Sequence, residues 1–408
     1  MTGEMKAEII TIGDEILLGQ TIDTNSAYIS QKLSQLGIEV DYKTSVGDDI
    51  KNISEALTIA LSRADLVITT GGLGPTNDDI TKKAIVKVFK RNLVFHEEIL
   101  MKVEESFKKR GMEMPKINQN QALLPQGSKA IPNQFGSAPG IFVREENKLF
   151  FALPGVPLEM RSMMENDVLK ILEKSSKLSV FEKKLRTTGI PESAIYERIE
   201  PVLASASEVK VAFLPSFLGV DIRLNSRSEE RLHEKEKQIG ELLGNAVYGE
   251  NDITLEEVVG GLLKKKRKTI SVAESCTGGL ISKRFTNVSG SSEYFERGVV
   301  SYSNQAKMEL LKVPQEMIEK YGAVSEQVAI LMAEGIRRLA KTDYGLSATG
   351  IAGPTGGTPE KPVGLVWIGF AHENDSFAER FLFGEDRETN RQRAAQAALN
   401  LVRLFLTR

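Results

Sequence analysis

Three strings in the C-terminal part of the chain carry side chains that could do chemistry together. AESCTGG (273–279) puts Ser275, Cys276 and Thr277 in a turn that ends in two glycines. SYSNQAK (301–307) supplies Tyr302 and Lys307, and SATGIAGPTGG (347–357) supplies Thr349, Gly350, Gly353, Gly356 and Gly357. Serine becomes a nucleophile when a neighbouring base takes its proton, and a desolvated lysine can be that base. Histidine has little part here: His96 and His233 fall in other segments, and His372 sits in a polar loop past the last clear strand. The glycine-rich string suits a phosphate or an oxyanion. Each residue also has a plainer role: Ser275 or Thr277 as a helix N-cap, Cys276 as a small buried hydrophobe, Lys307 as a surface lysine. Three such strings at strand ends favour a hydrolase pocket.

A second set lies in TIGDEILLG (11–19) and GGLGPTNDD (71–79). Gly71, Gly72 and Gly74 let backbone N–H groups approach an anion, and Pro75 stiffens the exit. Asp78 and Asp79 precede a helical pattern, where N-capping would explain one of them. Two aspartates there, with Asp14 and Glu15 on a neighbouring strand end, read as oxygen ligands for a divalent cation over phosphates. Neither a Walker A string nor GxGxxG occurs. GSAPG (136–140) and LPGVPLEM (153–160) carry ordinary turn residues whose placement also suits a lid over the same pocket.

The elements needed to position these groups are legible. AEIITIG (7–13), IEVDYKTSVG (38–47) and DLVITTGG (65–72) read as strands, separated by helical patterns at 24–37 and 53–64. That alternation predicts right-handed crossovers, a mainly parallel sheet and ligands at the carboxyl ends of the strands. The expected domains are an α/β domain over 1–170, a small α+β module over 171–250, and a second α/β domain over 251–408. The cationic run 264–268 reads as a solvated helix end.

The 408 residues balance 53 Lys plus Arg against 55 Asp plus Glu, which excludes a strongly basic nucleic-acid binder and an acidic disordered chain. The single cysteine excludes an intramolecular disulfide and a multi-cysteine metal site. The acidic start lacks the apolar stretch of a signal peptide, and no apolar run is long enough to span a bilayer. A cytoplasmic protein is the expectation.

Taken in order, TIGDEILLG, GGLGPTNDD, SAPG, LPGVPLEM, AESCTGG, SYSNQAK and ATGIAGPTGG resemble the CinA family over nearly the whole chain. The resemblance implies a molybdopterin-binding-like N-terminal domain, a KH-like middle module and a C-terminal amidase domain. It implies an enzyme of pyridine-nucleotide salvage. The C-terminal domain would deamidate nicotinamide mononucleotide, with Ser275 as nucleophile, Lys307 as base and Tyr302 orienting or polarising the pair. Thr349, Gly350, Gly353 and Arg391 would hold the substrate or its oxyanion, without a cofactor. The N-terminal domain would cleave ADP-ribose to AMP and ribose 5-phosphate. There Gly72, Gly74 and Thr76 would cradle phosphate, and Asp14, Glu15, Asp78 and Asp79 would bind magnesium, manganese or cobalt, with potassium a further candidate. A homodimer is expected. Nucleic acid is not an expected partner, because the middle module has GIPES (189–193) where a GXXG loop would be needed. Gln305 departs from the glutamate expected at that position in the family. Two rival readings are a protein that binds a pterin-like ligand without turnover and an interaction protein of competence or recombination.

Overall fold

The apolar run near the N-terminus forms β1 (Lys6–Ile12), buried at every position after the first. In the computed structural model, which describes residues 5–76, 80–174, 180–203, 208–384 and 386–408, β1 lies inside a six-stranded sheet. Its other strands are β2 (Glu39–Val46), β3 (Leu66–Thr70), β6 (Lys129–Ile131), β7 (Gly140–Glu145) and β8 (Lys148–Leu153), in the order β2-β1-β3-β8-β7-β6. β4 (Leu93–Phe95) and β5 (Leu123–Pro125) form a separate antiparallel pair. The four strands from β2 to β8 run parallel, while β7 and β6 are antiparallel additions.

Alternation along these strands builds two cores. Ile10, Val67 and Phe150 face helix Ile50–Arg63 through Ile53, Leu57 and Ala60. Ile9, Ile68 and Phe151 face the opposite side, where Ile29, Leu33 and Met160 cover them. Continuous apolar strands are what a parallel sheet covered on both faces requires. The loops after β1, β3 and β8 therefore leave the same sheet edge. All of this belongs to one compact unit, Met1–Phe181.

The second unit, Glu182–Arg408, holds two sheets. The first contains β9 (Phe181–Thr187), β10 (Val209–Ser216), β11 (Gly219–Ser226) and β12 (Val247–Glu250), in the order β10-β11-β9-β12. Helices Glu192–Leu203 and Glu229–Leu243 accompany it. This module is packed onto the C-terminal domain. Gln396 Nε2 donates to Thr188 Oγ1 at 3.1 Å, and Arg403 Nη2 donates to the Asn245 carbonyl at 2.6 Å.

The second sheet contains β13 (Ile270–Glu274), β14 (Phe295–Val300), β15 (Tyr344–Gly350), β16 (Leu365–Ala371) and β17 (Ser376–Leu382), in the order β14-β13-β15-β16-β17. β13 is parallel to β14 and β15; β16 is antiparallel to both β15 and β17, so it alone runs against the other four strands of this mainly parallel, mixed sheet. The physical cause is the direct return from β15 to β16 without a crossover helix. Helices Leu255–Lys266 and Arg387–Thr407 cover Val272, Leu346 and Ile368 on one face. Helix Glu326–Ala340 lies very close on the other. A Cβ at Gly345 would fall 2.1 Å from the Ala333 carbonyl oxygen, and one at Gly369 would fall 2.3 Å from that of Ala329. Those two glycines are required for contact. The cationic run ends its helix at Arg267, with Lys264 and Lys268 paired to Glu293 and Asp343.

Candidate active site

Register assembles the C-terminal site. Glu274, the last residue of β13, lies opposite Val300 of β14 and Ala348 of β15. Ser275 and Ser301 thus leave the sheet side by side, next to Thr349 near the end of β15. The Ser275 N–H donates to the Ala348 carbonyl at 2.9 Å, and the Ser301 N–H donates to the Glu274 carbonyl at 2.8 Å.

The turn after β13 differs from the expected helix start. Helix Leu280–Thr286 begins three residues later than Thr277, after Gly278 and Gly279 in left-handed conformations. Neither Ser275 nor Thr277 caps it. The wholly buried carboxylate of Glu274 does so, accepting from the N–H groups of Gly279, Ile281 and Ser282 at 3.0, 3.0 and 2.8 Å. N–H groups at a helix start favour negative charge, and the protein supplies that charge itself. Ser275 Oγ is left without a capping duty.

Lys307 lies within helix Asn304–Leu311, whose N-cap Ser303 accepts from the Ala306 N–H. It is 1% exposed, against the surface lysine that spacing alone favours. Its Nζ donates to Ser275 Oγ at 3.1 Å and to the carbonyls of Ser301 and Tyr302 at 2.9 and 3.2 Å. Burial lowers its pKa to about 8, because desolvation disfavours the ammonium form. Cys276 is buried, and desolvation pushes its thiol up to about 12, the opposite of what a nucleophilic thiolate needs. Two further buried hydroxyls, Thr277 Oγ1 and Ser301 Oγ, have no hydrogen-bond partner among the described residues.

The remaining groups are placed as follows. Tyr302 touches Lys307 through its backbone carbonyl; its side chain is 60% exposed, and its phenol oxygen accepts from Arg387 Nη2 at 3.0 Å. Thr349 Oγ1 donates to the Ala323 carbonyl at 2.8 Å, and Gly350 is paired with Val366 across the sheet. Gly353 has a left-handed φ of 87°, and its carbonyl accepts from Arg387 Nη1 at 2.8 Å. Arg391 donates to the Thr277 carbonyl at 3.1 Å and pairs with Glu388. Asn390 Nδ2 donates to the carbonyls of Ala352 and Gly384. The start of the last helix, from Arg387 to Arg391, thus ties together the loops after β13, β14 and β15. Sequence reasoning passed over Glu274, Arg387 and Asn390. The available signal for Glu274 was an acid ending an apolar strand; for the other two it was spacing with Arg391 on one helix face. His372 packs tilted against Phe405, at 4.9 Å between ring centroids.

At the edge of the first sheet, the Asp14 N–H donates to Asp48 Oδ2 and the Asp48 N–H donates to Asp14 Oδ1, both at 3.1 Å. Glu15 follows on the same exposed turn, its carboxylate folded back over Gly13. Gly71 and Gly72 both have positive φ, and a Cβ at Gly72 would fall 2.2 Å from Thr81 Oγ1. Gly155, in the loop after β8, lies against Gly71, and its carbonyl accepts from Asn25 Nδ2 at 2.8 Å. Asn25 is buried, and its Oδ1 has no partner among the described residues. The SAPG loop is pinned by Asn133, which donates to the Ala138 carbonyl and to Glu159. Gly74 and Thr76 continue the glycine turn, with Thr76 exposed. Asp78 and Asp79 lie outside the described residues. Among the described residues, no three His, Cys, Asp or Glu side chains gather to hold a metal, and no helix is long and apolar enough to cross a membrane.

Residues 8–174 match the family described as "Probable molybdopterin binding domain", 182–249 the "Damage-inducible protein CinA KH domain", and 252–406 the "CinA C-terminal domain". A CinA-like protein of Dictyoglomus thermophilum is 45% identical over 405 residues, covering 98% of each chain. A CinA-like protein of Kosmotoga olearia is 43% identical over 408 residues, covering 98% of this chain and 99% of its own. The crystal structure of the protein CinA from Thermoplasma acidophilum is 35% identical and covers 42% of this chain and 98% of its own, with a TM-score of 0.38. The chain, with its molybdopterin-binding-like, KH and C-terminal domains in series, belongs to the CinA family.

Proposed function

We propose that the C-terminal domain is a serine amidase that converts nicotinamide mononucleotide and water to nicotinate mononucleotide and ammonia. The observation that carries this is the setting of Lys307 Nζ, held by two backbone carbonyls and 3.1 Å from Ser275 Oγ. A neutral amine has two N–H bonds. When these point at the carbonyls of Ser301 and Tyr302, the lone pair is left for the serine proton. Ser275 Oγ attacks the carboxamide carbon as Lys307 takes that proton. The carbon–nitrogen bond then breaks, and Lys307 returns the proton to the departing nitrogen, which leaves as ammonia. Water next attacks the acyl ester, Lys307 accepts its proton, and the ester bond breaks with reprotonation of Ser275. A positioned base of this kind contributes roughly 10²–10⁴-fold. Tyr302 acts through its carbonyl, Thr349 braces the strand-end loop, and Arg387 and Arg391 offer cations to the substrate phosphate. The test is ammonia release from nicotinamide mononucleotide, wild type beside Ser275→Ala, with a chelator present. Release that the substitution abolishes and the chelator spares supports the proposal. Release that survives Ser275→Ala overturns it.

The N-terminal domain, in the same proposal, hydrolyses ADP-ribose to AMP and ribose 5-phosphate. The left-handed turn at Gly71 and Gly72 lies at the sheet edge, where the Leu153 carbonyl holds the Gly71 N–H and the backbone of Gly72, Gly74 and Thr76 is the proposed phosphate cradle. Asp14 and Glu15 share one exposed turn at the same edge, and their hard oxygens suit magnesium, manganese or cobalt. With Asp78 and Asp79 they would hold the cation, whose charge offsets that of the pyrophosphate. Metal-dependent AMP release from ADP-ribose tests this; retention of ADP-ribose without turnover would favour a binding protein. The proposal includes a homodimer acting in the cytoplasm on small nucleotides.

A further inference from the structure

Beside the Ser275–Lys307 pair, a buried carboxylate stands immediately before Ser275 in sequence. Glu274 is wholly buried, and both its oxygens are engaged. Oε2 accepts from the N–H groups of Gly279 and Ile281, each at 3.0 Å. Oε1 accepts from the N–H of Ser282 at 2.8 Å and from its hydroxyl at 2.6 Å. Its backbone carbonyl accepts from the N–H of Ser301, whose own carbonyl holds Lys307 Nζ. One residue therefore joins both halves of the pair: the side chain folds the turn that presents Ser275, and the main chain fixes the segment that presents Lys307. Ser282 is itself pinned, since a Cβ at Gly298 of β14 would fall 1.9 Å from its hydroxyl.

We infer that Glu274 is the positioning residue of the amidase: its carboxylate gathers the N–H groups of Gly279, Ile281 and Ser282 and thereby fixes where Ser275 Oγ meets Lys307. This rests on the serine–lysine reading above. A carboxylate is suited to the task because it accepts through both oxygens. Glutamine has one accepting oxygen and one donating nitrogen. Whichever way its amide is turned, it confronts at least one of these backbone N–H groups with another donor and leaves that N–H unsatisfied in the interior. The turn must then shift. A displacement of about 1 Å at a reacting group costs on the order of 10²-fold in rate.

The test uses the full-length protein and two readouts. One is ammonia release from nicotinamide mononucleotide. The other is the rate at which a fluorophosphonate labels Ser275, followed by intact mass. In that labelling Oγ bonds to phosphorus, the phosphorus–fluorine bond breaks, fluoride leaves, and Lys307 takes the serine proton. Glu274→Gln is expected to lower kcat and the labelling rate together by about 10²-fold, with KM within about threefold and the pH midpoint of kcat/KM unmoved. Ser282→Ala removes only one of the four hydrogen bonds and should lower both rates several-fold, with thermal stability close to wild type. It keeps the inference testable if Glu274→Gln does not fold. Wild-type kcat and labelling in either folded variant would overturn the inference. So would a shifted pH midpoint in Glu274→Gln, which would mean that the carboxylate acts by charge. Labelling distinguishes the two failures. A wild type that labels at Ser275 but releases no ammonia sinks the substrate assignment and leaves the role of Glu274 readable. A wild type that does neither sinks both.

Discussion

Lys307 Nζ lies 3.1 Å from Ser275 Oγ although 32 residues separate them, and the parallel pairing of β13 with β14 brings them together. Ser275 leaves the end of one strand and Ser301 the end of its neighbour. The helix that follows Ser303 carries Lys307 back over the gap, where the carbonyls of Ser301 and Tyr302 take hold of its nitrogen. Burial does the rest. A lysine in water would stay protonated far above neutrality, whereas this one sits near a pKa of about 8.

The first prediction concerns pH. Only the neutral amine accepts the serine proton, so kcat/KM for amide hydrolysis should climb as pH rises and level off above a midpoint near 8. At pH 7 roughly a tenth of the enzyme should carry a neutral lysine. A pH–rate profile measured between pH 6 and pH 10, in buffers of constant ionic strength, would check this. A profile flat from pH 6 upward would separate Lys307 from proton transfer.

Stability gives a second, activity-independent check on the same residue. The native state disfavours the ammonium form, so between about pH 8 and 10.5 the unfolded chain binds the proton more readily than the folded one. This group therefore destabilises the fold below about pH 8, and the penalty fades as pH rises towards 10.5. Lys307→Met should lack turnover, and wild type should gain thermal stability relative to it across that window. Paired melting curves at pH 7 and pH 10 would measure the difference. A gap independent of pH would mean that Lys307 is not appreciably desolvated.

Ser275, Lys307 and the glycine strings were legible because their types and their places after strands are written in the sequence. What was not legible depends on register and on side-chain direction. Tyr302 was expected to orient or polarise the pair; the chain after β14 turns its phenol outward to Arg387 and leaves the carbonyl facing Lys307. Glu274 looked like an ordinary strand residue until the glycines after it folded three N–H groups back onto its carboxylate. The antiparallel pairing of β15 with β16 was hidden for the same reason, since apolar runs do not state strand direction. The reciprocal Asp14–Asp48 bonds likewise join residues 34 apart, a distance at which no spacing rule operates.

Cys276 adjoins Ser275, the proposed nucleophile, and invites confusion with it. With its thiol pushed up to about 12 by burial, it should resist iodoacetamide in the folded enzyme at pH 8, and Cys276→Ala should keep kcat within about threefold of wild type. Intact-mass alkylation beside ammonia release would decide the matter. Loss of turnover in Cys276→Ala together with labelling of the native thiol would transfer the nucleophilic role from Ser275.

Arg387 grips the Gly353 carbonyl and the Tyr302 phenol from the first turn of the last helix. If its charge also meets the substrate phosphate, Arg387→Ala should raise KM for nicotinamide mononucleotide by about tenfold or more, with a smaller change in kcat. The same substitution should change little for nicotinamide riboside, which has no phosphate. Equal losses on both substrates would reduce Arg387 to a brace for the loop.

The proposed N-terminal cation can be approached through Asp14, because the reciprocal bonds with Asp48 separate shape from charge. Asp14→Asn keeps an oxygen for the Asp48 N–H and the backbone N–H that reaches Asp48 Oδ2, so the turn should hold its form. The substitution removes one negative charge from the proposed ligand set. Affinity for manganese, titrated calorimetrically into the full-length protein, should fall by about tenfold or more, because hard-cation affinity follows the charge of its oxygen ligands. ADP-ribose hydrolysis should fall with it, while ammonia release from nicotinamide mononucleotide stays at the wild-type rate. Unchanged manganese affinity in Asp14→Asn would remove Asp14 from the ligand set. The same outcome in Asp79→Ala would leave the metal with no support from either loop.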